Sequence, residues 1–369
     1  MPETLNTTAV RVLVVDDSAF MRKTLSTVLA GDRRITVVGT ARNGEEAIQK
    51  IQELRPDVVT LDVEMPGMNG LVALRHIMAT TPLPVIMVSS LTADGAQETL
   101  KALELGAVDY VFKHPGGMAA RCIDIRAELV AKVMAAAGAK GKVGLRDRKK
   151  EPWATRHSPV PSRSPSLLSH LSADTVAATR GGKVIAIGCS TGGPQALMEI
   201  LAGLPEDLPA GVVIVQHMPR FFTKPFSERM NQICRLDVRE AADGDIVKPG
   251  VVLIAPGGVQ LRVARRSALD VQVSLSPDSE GLLHAPSVDI MMQSVAAVYG
   301  ERGIGVILTG MGHDGLEGMR AIKGAKGRTL AQDEATCVVY GMPKAVIEAG
   351  YADKIVPLSQ MAGEIVNMV

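Results

Sequence analysis

Three short stretches of the chain bring together a hydroxyl, an imidazole and a carboxylate of the kind a hydrolase needs. Gly188-Cys189-Ser190-Thr191-Gly192 follows the apolar run KVIAI, Gln216-His217-Met218-Pro219 follows VVIV, and Gly310-Met311-Gly312-His313-Asp314-Gly315 follows GVILT. A serine that cleaves esters or amides needs an imidazole to take its proton and a carboxylate to orient that imidazole. Ser190, His217 and Asp314 are therefore a candidate nucleophile, base and orienting acid. The first stretch fits G-x-S-x-G, whose glycines permit a sharp strand-to-helix turn that exposes the serine Oγ above a sheet. The amphipathic run QALMEILAGL behind it reads as a helix whose free N-terminal amides face any charge that develops there. The order Ser, His, Asp differs from that of the α/β-hydrolases, chymotrypsin and subtilisin, so none of those folds can be borrowed.

Other readings of the same residues stay open at this level. G-x-S-x-G is short, and a plain tight turn or a phosphate-binding loop looks similar. The run GMGHDG also fits G-x-G-x-x-G, with Asp333 and Glu334 about 20 residues on, as a dinucleotide site would have. Such sites normally open on the first strand of their unit, and this one lies after several elements. Cys189 is a second nucleophile candidate, expected to face the opposite side of the strand as a small buried residue.

Nearer the start lies a different set. Asp16 and Asp17 follow VLVV, Asp62 follows VVTL, Ser89 and Ser90 follow VIMV, and Lys113 follows VDYVF. In doubly wound sheets ligands bind outside the carboxyl ends of the strands, where all of these residues fall. Three carboxylates on one edge repel each other unless a cation neutralises them. A hard divalent ion with oxygen ligands does so, and Mg²⁺ is the natural candidate.

These residues need sheets to hold them. From residue 10 to about 125, β-rich apolar runs alternate with helical stretches, the rhythm of a parallel sheet covered on both faces. Met21, Leu25, Val28 and Leu29 recur at helical spacing and are expected in its core. A second β/α rhythm runs from Lys183 onward, with a hairpin-like insertion near 250–276. Val288, Met291, Met292, Val295 and Val298 form another helical core stripe. Between the two, residues 140–180 are rich in Ser and Pro and hold nine Lys or Arg against three Asp or Glu. That composition reads as a solvated tether.

The whole-chain figures agree with two cores. The chain has 369 residues, 46% hydrophobic and 21% charged, which excludes disorder as a global state. A net charge of +1 gives no general pull toward nucleic acid. The four cysteines form no C-x-x-C pair, the start lacks a leader pattern, and no apolar run approaches the ~20 residues needed to span a bilayer. The expectation is a reduced cytoplasmic protein with no membrane insertion and no thiolate metal site.

VDDSAFMRKTL, LDVEMPGMNGL, PVIMVSS and DYVFKHP resemble, in order, the blocks of the receiver domain of two-component response regulators. That resemblance implies a flavodoxin-like five-stranded parallel sheet in which Asp62 accepts a phosphoryl group from a chemotaxis histidine kinase. It implies Mg²⁺ on Asp16, Asp17, Asp62 and the backbone carbonyl of Glu64, with Lys113 pairing with the phosphate and Ser89 and Tyr110 acting as the switch. His114 departs from the usual Lys-Pro pair and is expected to face solvent.

IGCSTGG, VQHMP, LIAPGG, PSVD, VILTGMGHDG and AQDEATCVVYGMPKAV resemble the catalytic domain of the CheB family of chemotaxis protein-glutamate methylesterases. The fold implied is a Rossmann-like, mainly parallel α/β domain, with receiver 8–127, linker 128–180 and catalytic domain 181–369. By that resemblance Ser190 is the nucleophile, His217 the base and Asp314 its orienting carboxylate, with backbone amides of Thr191 and Met311 as oxyanion hole and no cofactor in this domain. The substrates implied are methyl-accepting chemotaxis receptors, with glutamine deamidation in some members. His313 stands where the family more often has Asn, which makes it a second conceivable base. His76, His157, His170 and His284 lack a partner pattern and are expected at the surface. A receiver-regulated transcription or nucleotide-binding protein is the alternative.

Overall fold

The computed structural model describes residues 9–90, 93–113, 118–138, 182–267, 270–277 and 284–369. His114, His157, His170 and most of the expected tether lie outside the described residues. The chain separates into two compact units, one up to Glu151 and one from Pro152.

The first unit is a five-stranded parallel sheet in the order β2 (Ile35–Ala41), β1 (Val10–Val15), β3 (Val58–Asp62), β4 (Val85–Ser90), β5 (Asp109–Lys113). Residues 12–15 of β1 and all of β3 are buried because helices cover both faces, and this is why these strands read as mostly apolar runs. The helices are α1 (Ala19–Ala30), α2 (Gly44–Leu54), α3 (Gly70–Thr80), α4 (Ala93–Glu104) and α5 (Met118–Gly138). Ser18, Asn43 and Asn69 cap the first three, each accepting an otherwise unpaired N–H of the first turn. Of the expected α1 stripe, Leu25 and Leu29 are buried, while Met21 and Val28 are half-buried. Helix α5 runs eleven residues past the expected boundary at 127, so 128–138 is not tether. Leu129, Val133 and Ala136 are fully buried, and that burial carries the helix onward.

The second unit is a seven-stranded parallel sheet in the order β14 (Lys354–Val356), β13 (Arg328–Gln332), β12 (Gly303–Ile307), β6 (Lys183–Cys189), β7 (Ala210–Gln216), β9 (Val251–Ile254), β8 (Asp237–Glu240). The insertion is an antiparallel hairpin of β10 (Val259–Arg265) and β11 (Val271–Pro277). Helices α6 (Gly193–Gly203), α7 (Arg220–Ile233), α8 (Val288–Tyr299), α9 (Leu316–Gly324), α10 (Met342–Glu348) and α11 (Leu358–Met368) complete it. In α8, Val288, Met291, Met292 and Val295 are fully buried and Val298 is partly so. Phe222 and Phe226 of α7 are also buried, each contributing roughly 1.5–3 kcal/mol of apolar burial.

Strands β6, β7 and β9 build outward on one side, whereas β12 returns to the other side of β6 and β13 and β14 continue from it. The order therefore reverses between β6 and β12. Connections leaving a sheet at such a point part to opposite faces and open a crevice at the strand ends.

Candidate active site

Sheet register brings the nucleophile and base candidates together. Cys189 pairs with Gln216 across β6 and β7, so Ser190 and His217 each stand one residue beyond a paired position. The ladder continues past the strands: His217 N–H donates to Cys189 O at 3.1 Å, and Ser190 N–H donates to Thr309 O at 3.1 Å. The turn after Ser190 depends on glycine. Gly192 has φ 78°, and a Cβ on Gly193 would lie 2.0 Å from Gln216 Oε1. Thr309 Oγ1 donates to Thr191 O at 2.9 Å, tying the turn after β6 to the loop after β12. Ser190 is half-buried, Thr191 is buried and Met311 is 36% exposed.

Asp314 arrives from the loop after β12. Its Oδ2 lies 2.8 Å from His217 Nε2 and also accepts from Val288 N–H at 2.8 Å, while its Oδ1 accepts from Ser287 Oγ at 2.9 Å and Asp289 N–H at 3.0 Å. The carboxylate thus sits on the N-terminus of α8, where amide donors and the helix dipole favour negative charge. Burial alone would raise its pKa, but His217 and these amides outweigh burial and hold the carboxyl well below the usual carboxylate range. Neighbouring Asp289 is pushed the other way, by burial foremost and with Asp314 adding to it, although Gly315 and Gly318 N–H groups donate to it.

Nδ1 of His217 is buried and has no hydrogen-bond partner. No hydrogen bond joins it to Ser190 Oγ here, and in substrate-free sites such bonds are often long until substrate binds. His313 is exposed. The Cys189 thiol is buried within 3.8 Å of Val215 O, and burial pushes its pKa far up, against any thiolate role.

Three further contributors were not legible as such in the sequence. Gln216, 2% exposed, donates from Nε2 to both Ser190 O and His217 O at 3.0 Å. Ser287 holds Asp314, and its place in PSVD was the available signal. His284, expected at the surface, stacks on His217 with ring centroids 4.1 Å apart and planes 18° apart. The physical reason is that residues 284–287 lie against the strand ends, a tertiary contact that leaves no period in the sequence.

The first unit carries the other candidate set. Asp16, Asp17 and Asp62 present carboxylate oxygens within 4.8 Å of one another. Asp16 and Asp62 are buried while Asp17 is exposed. Lys113 Nζ lies 3.0 Å from Asp16 Oδ2 and 2.6 Å from Asp62 Oδ2. Burial pushes Asp62 up to about 6 although Lys113 pulls it down, and the carboxylates raise Lys113 against its own burial. A cleft of about 480 Å³ lined by Asp17, Asp62, Glu64, Asn69, Glu98 and Lys113 opens over them. A crowded set of hard oxygen donors of this kind suits Mg²⁺. Ser89 is buried and accepts a hydrogen bond from Thr99 Oγ1 at 2.8 Å. Tyr110 is buried, with Lys132 Nζ 4.9 Å from its ring centroid.

A family model described as CheB methylesterase matches residues 185–365, and one described as response regulator receiver domain matches residues 12–118. A protein-glutamate methylesterase/protein-glutamine glutaminase of Oleidesulfovibrio alaskensis is 48% identical, covering 98% of this chain and 99% of that one. The chain belongs to this methylesterase family. Another relative of the same description, from Syntrophotalea carbinolica, is 49% identical and covers 98% of both chains. The crystal structure of the Thermotoga maritima CheB methylesterase catalytic domain is similar at TM-score 0.50 and 42% identity, covering 51% of this chain and all of that one. The dinucleotide alternative is not favoured. In this CheB-family chain Asp314 of GMGHDG is engaged by His217 and α8, and Asp333 accepts from Thr336 N–H at 3.0 Å in its own turn.

Proposed function

We propose that this chain hydrolyses glutamate methyl esters on methyl-accepting chemotaxis receptors, with the same apparatus able to deamidate glutamine, and that phosphorylation of its receiver controls the rate. The observation that carries the reading is the His217–Asp314 contact at the strand ends, where Ser190 and His217 each follow the last paired residues of β6 and β7. Ser190 Oγ attacks the ester carbonyl and passes its proton to His217. Because Nε2 is held by Asp314, Nδ1 is the nitrogen that receives it. Asp314, kept ionised by its donors, steadies the imidazolium. Backbone amides of Thr191 and Met311 bind the oxyanion. Protonated His217 then gives its proton to the departing methoxide, a leaving group too basic to go unaided, and methanol leaves. Water, deprotonated by His217, attacks the acyl-enzyme and releases the free glutamate and Ser190.

In the receiver, Asp62 accepts the phosphoryl group from a chemotaxis histidine kinase, and Lys113 is within reach of the incoming oxygens. Asp16, Asp17, Asp62 and the Glu64 carbonyl would hold Mg²⁺, which when bound neutralises charge on the transferring phosphoryl group. Ser89 would leave Thr99 to hydrogen-bond the phosphoryl oxygens. Among the described residues no helix is long and apolar enough to cross a membrane; in this reading the protein is cytoplasmic and acts on the cytoplasmic helices of its receptors. Nucleic acid has no part in this reading. Methanol release from methylated receptor, measured with and without a phosphodonor, tests it. No release under either condition would remove the proposal.

A further inference from the structure

We infer that His284 is a positioning residue for the hydrolytic reaction: its ring lies flat on His217 and holds that imidazole in the plane that keeps Nε2 on Asp314 and leaves Nδ1 for Ser190. The inference rests on the reading of His217 as the base. The stacked geometry, 4.1 Å between centroids and 18° between planes, covers one face of the His217 ring. Among the described residues the His217 ring makes one hydrogen bond, to Asp314, and one bond leaves a ring free to turn about that contact. A face-to-face neighbour removes this freedom, and a displacement of about 1 Å at a catalytic group can cost roughly 10²-fold in rate.

His284 is itself built in. The buried amide of Gln260, on β10, donates from Nε2 to His284 O at 2.8 Å and accepts at Oε1 from Ser287 N–H at 2.8 Å. Gly258 N–H donates to Ala285 O at 2.9 Å. One clamped segment therefore does two things: its first residue covers His217, and Ser287, Val288 and Asp289 hold Asp314. The β10–β11 hairpin thereby becomes part of the active-site scaffold.

A relay role for His284 is incompatible with this geometry. Proton transfer between imidazoles needs an N–H of one ring in line with a nitrogen of the other, whereas stacked rings present faces. Burial and the nearby His217 also disfavour a charge on His284, so it does not repel the imidazolium that His217 becomes.

The test uses the full chain with ¹⁵N-labelled histidine and two variants, His284→Phe, which keeps a flat ring, and His284→Ala, which removes it. In the wild type and His284→Phe, the His217 nitrogens should report one tautomer, with the proton on Nε2. In His284→Ala they should average between tautomers, with circular dichroism unchanged. On methylated receptor, kcat should fall at least about tenfold in His284→Ala with KM little changed, and His284→Phe should recover most of it. An unchanged His217 spectrum and kcat in His284→Ala would overturn the inference. Loss in His284→Phe equal to that in His284→Ala would overturn it as well, by assigning His284 a chemical role. Absence of turnover in the wild type would instead count against the proposed function, and the spectra would still decide the positioning role.

Discussion

His217 Nε2 and Asp314 Oδ2 meet at 2.8 Å, and the same carboxylate accepts three donors from the start of α8. In the proposed mechanism the contact joins catalysis to folding, since one side chain orients the base and accepts the first donors of a helix. Asp314→Asn offers one acceptor oxygen in place of two and turns an amide donor toward other donors. Turnover should fall by roughly 10⁴, as for the equivalent change in a serine protease triad. Stability should fall by about 1–3 kcal/mol, the cost of buried donors left unpaired. Methanol release and urea unfolding measured on the same preparation check both; a loss of turnover with unchanged stability would mean the helix-capping role is mistaken.

Ser190→Ala removes one half-buried hydroxyl that makes no hydrogen bond among the described residues, so stability should be unchanged while kcat falls by at least about 10³. Near-normal turnover in this variant would reject the serine mechanism. Cys189→Ala should retain activity, because the thiol is buried against Val215 O and burial opposes its ionisation.

The two histidines separate in the same assay. His217→Ala should abolish turnover, and His313→Asn, at an exposed position, should change kcat less than about threefold. The reverse ranking would transfer the base role to His313.

A small-molecule phosphodonor with Mg²⁺ should stimulate methanol release by the whole chain. Asp62→Asn should lose the stimulation and keep the basal rate, and a chelator should do the same to the wild type. Mg²⁺ without phosphodonor should raise the melting temperature of the receiver, because it relieves repulsion among Asp16, Asp17 and Asp62. Stimulation that survives in Asp62→Asn would exclude that residue as the acceptor.

Stability should also depend on pH through His284, whose pKa is lowered from 6.5 by burial, with His217 and His313 adding to this and Asp314 opposing it. A base with a depressed folded pKa takes up its proton on unfolding. Its contribution to stability is therefore present above 6.5 and is lost as pH falls through the lower folded value. Asp314 contributes in the same direction only lower, in the carboxylate range. Between about pH 7.5 and pH 5.5, the urea midpoint of the second unit should drop in the wild type and drop less in His284→Phe. Equal slopes in the two proteins would mean His284 is not held neutral.

Much of this protein is determined by its sequence read alone. Continuous apolar runs alternating with period-3.6 stretches specify two α/β units, because strands buried on both faces must be mostly apolar and their covering helices must carry an apolar stripe. Polar residues just after such strands can only lie at the sheet edge, and so Asp16, Asp62, Lys113, Ser190 and His217 were all readable as site residues. What needed the tertiary structure is whatever depends on strand order and on loops that fold back. The reversal between β6 and β12 brings Asp314 to His217 across 97 positions of sequence. The continuation of α5 past residue 127 depends on burial of Leu129 and Val133. His284 and Gln216 gave no local signal at all, since stacking and amide bridging need only proximity and leave no period in the chain. Those contacts bear on the orientation of the His217 ring, because a ring's orientation is set by its neighbours in space.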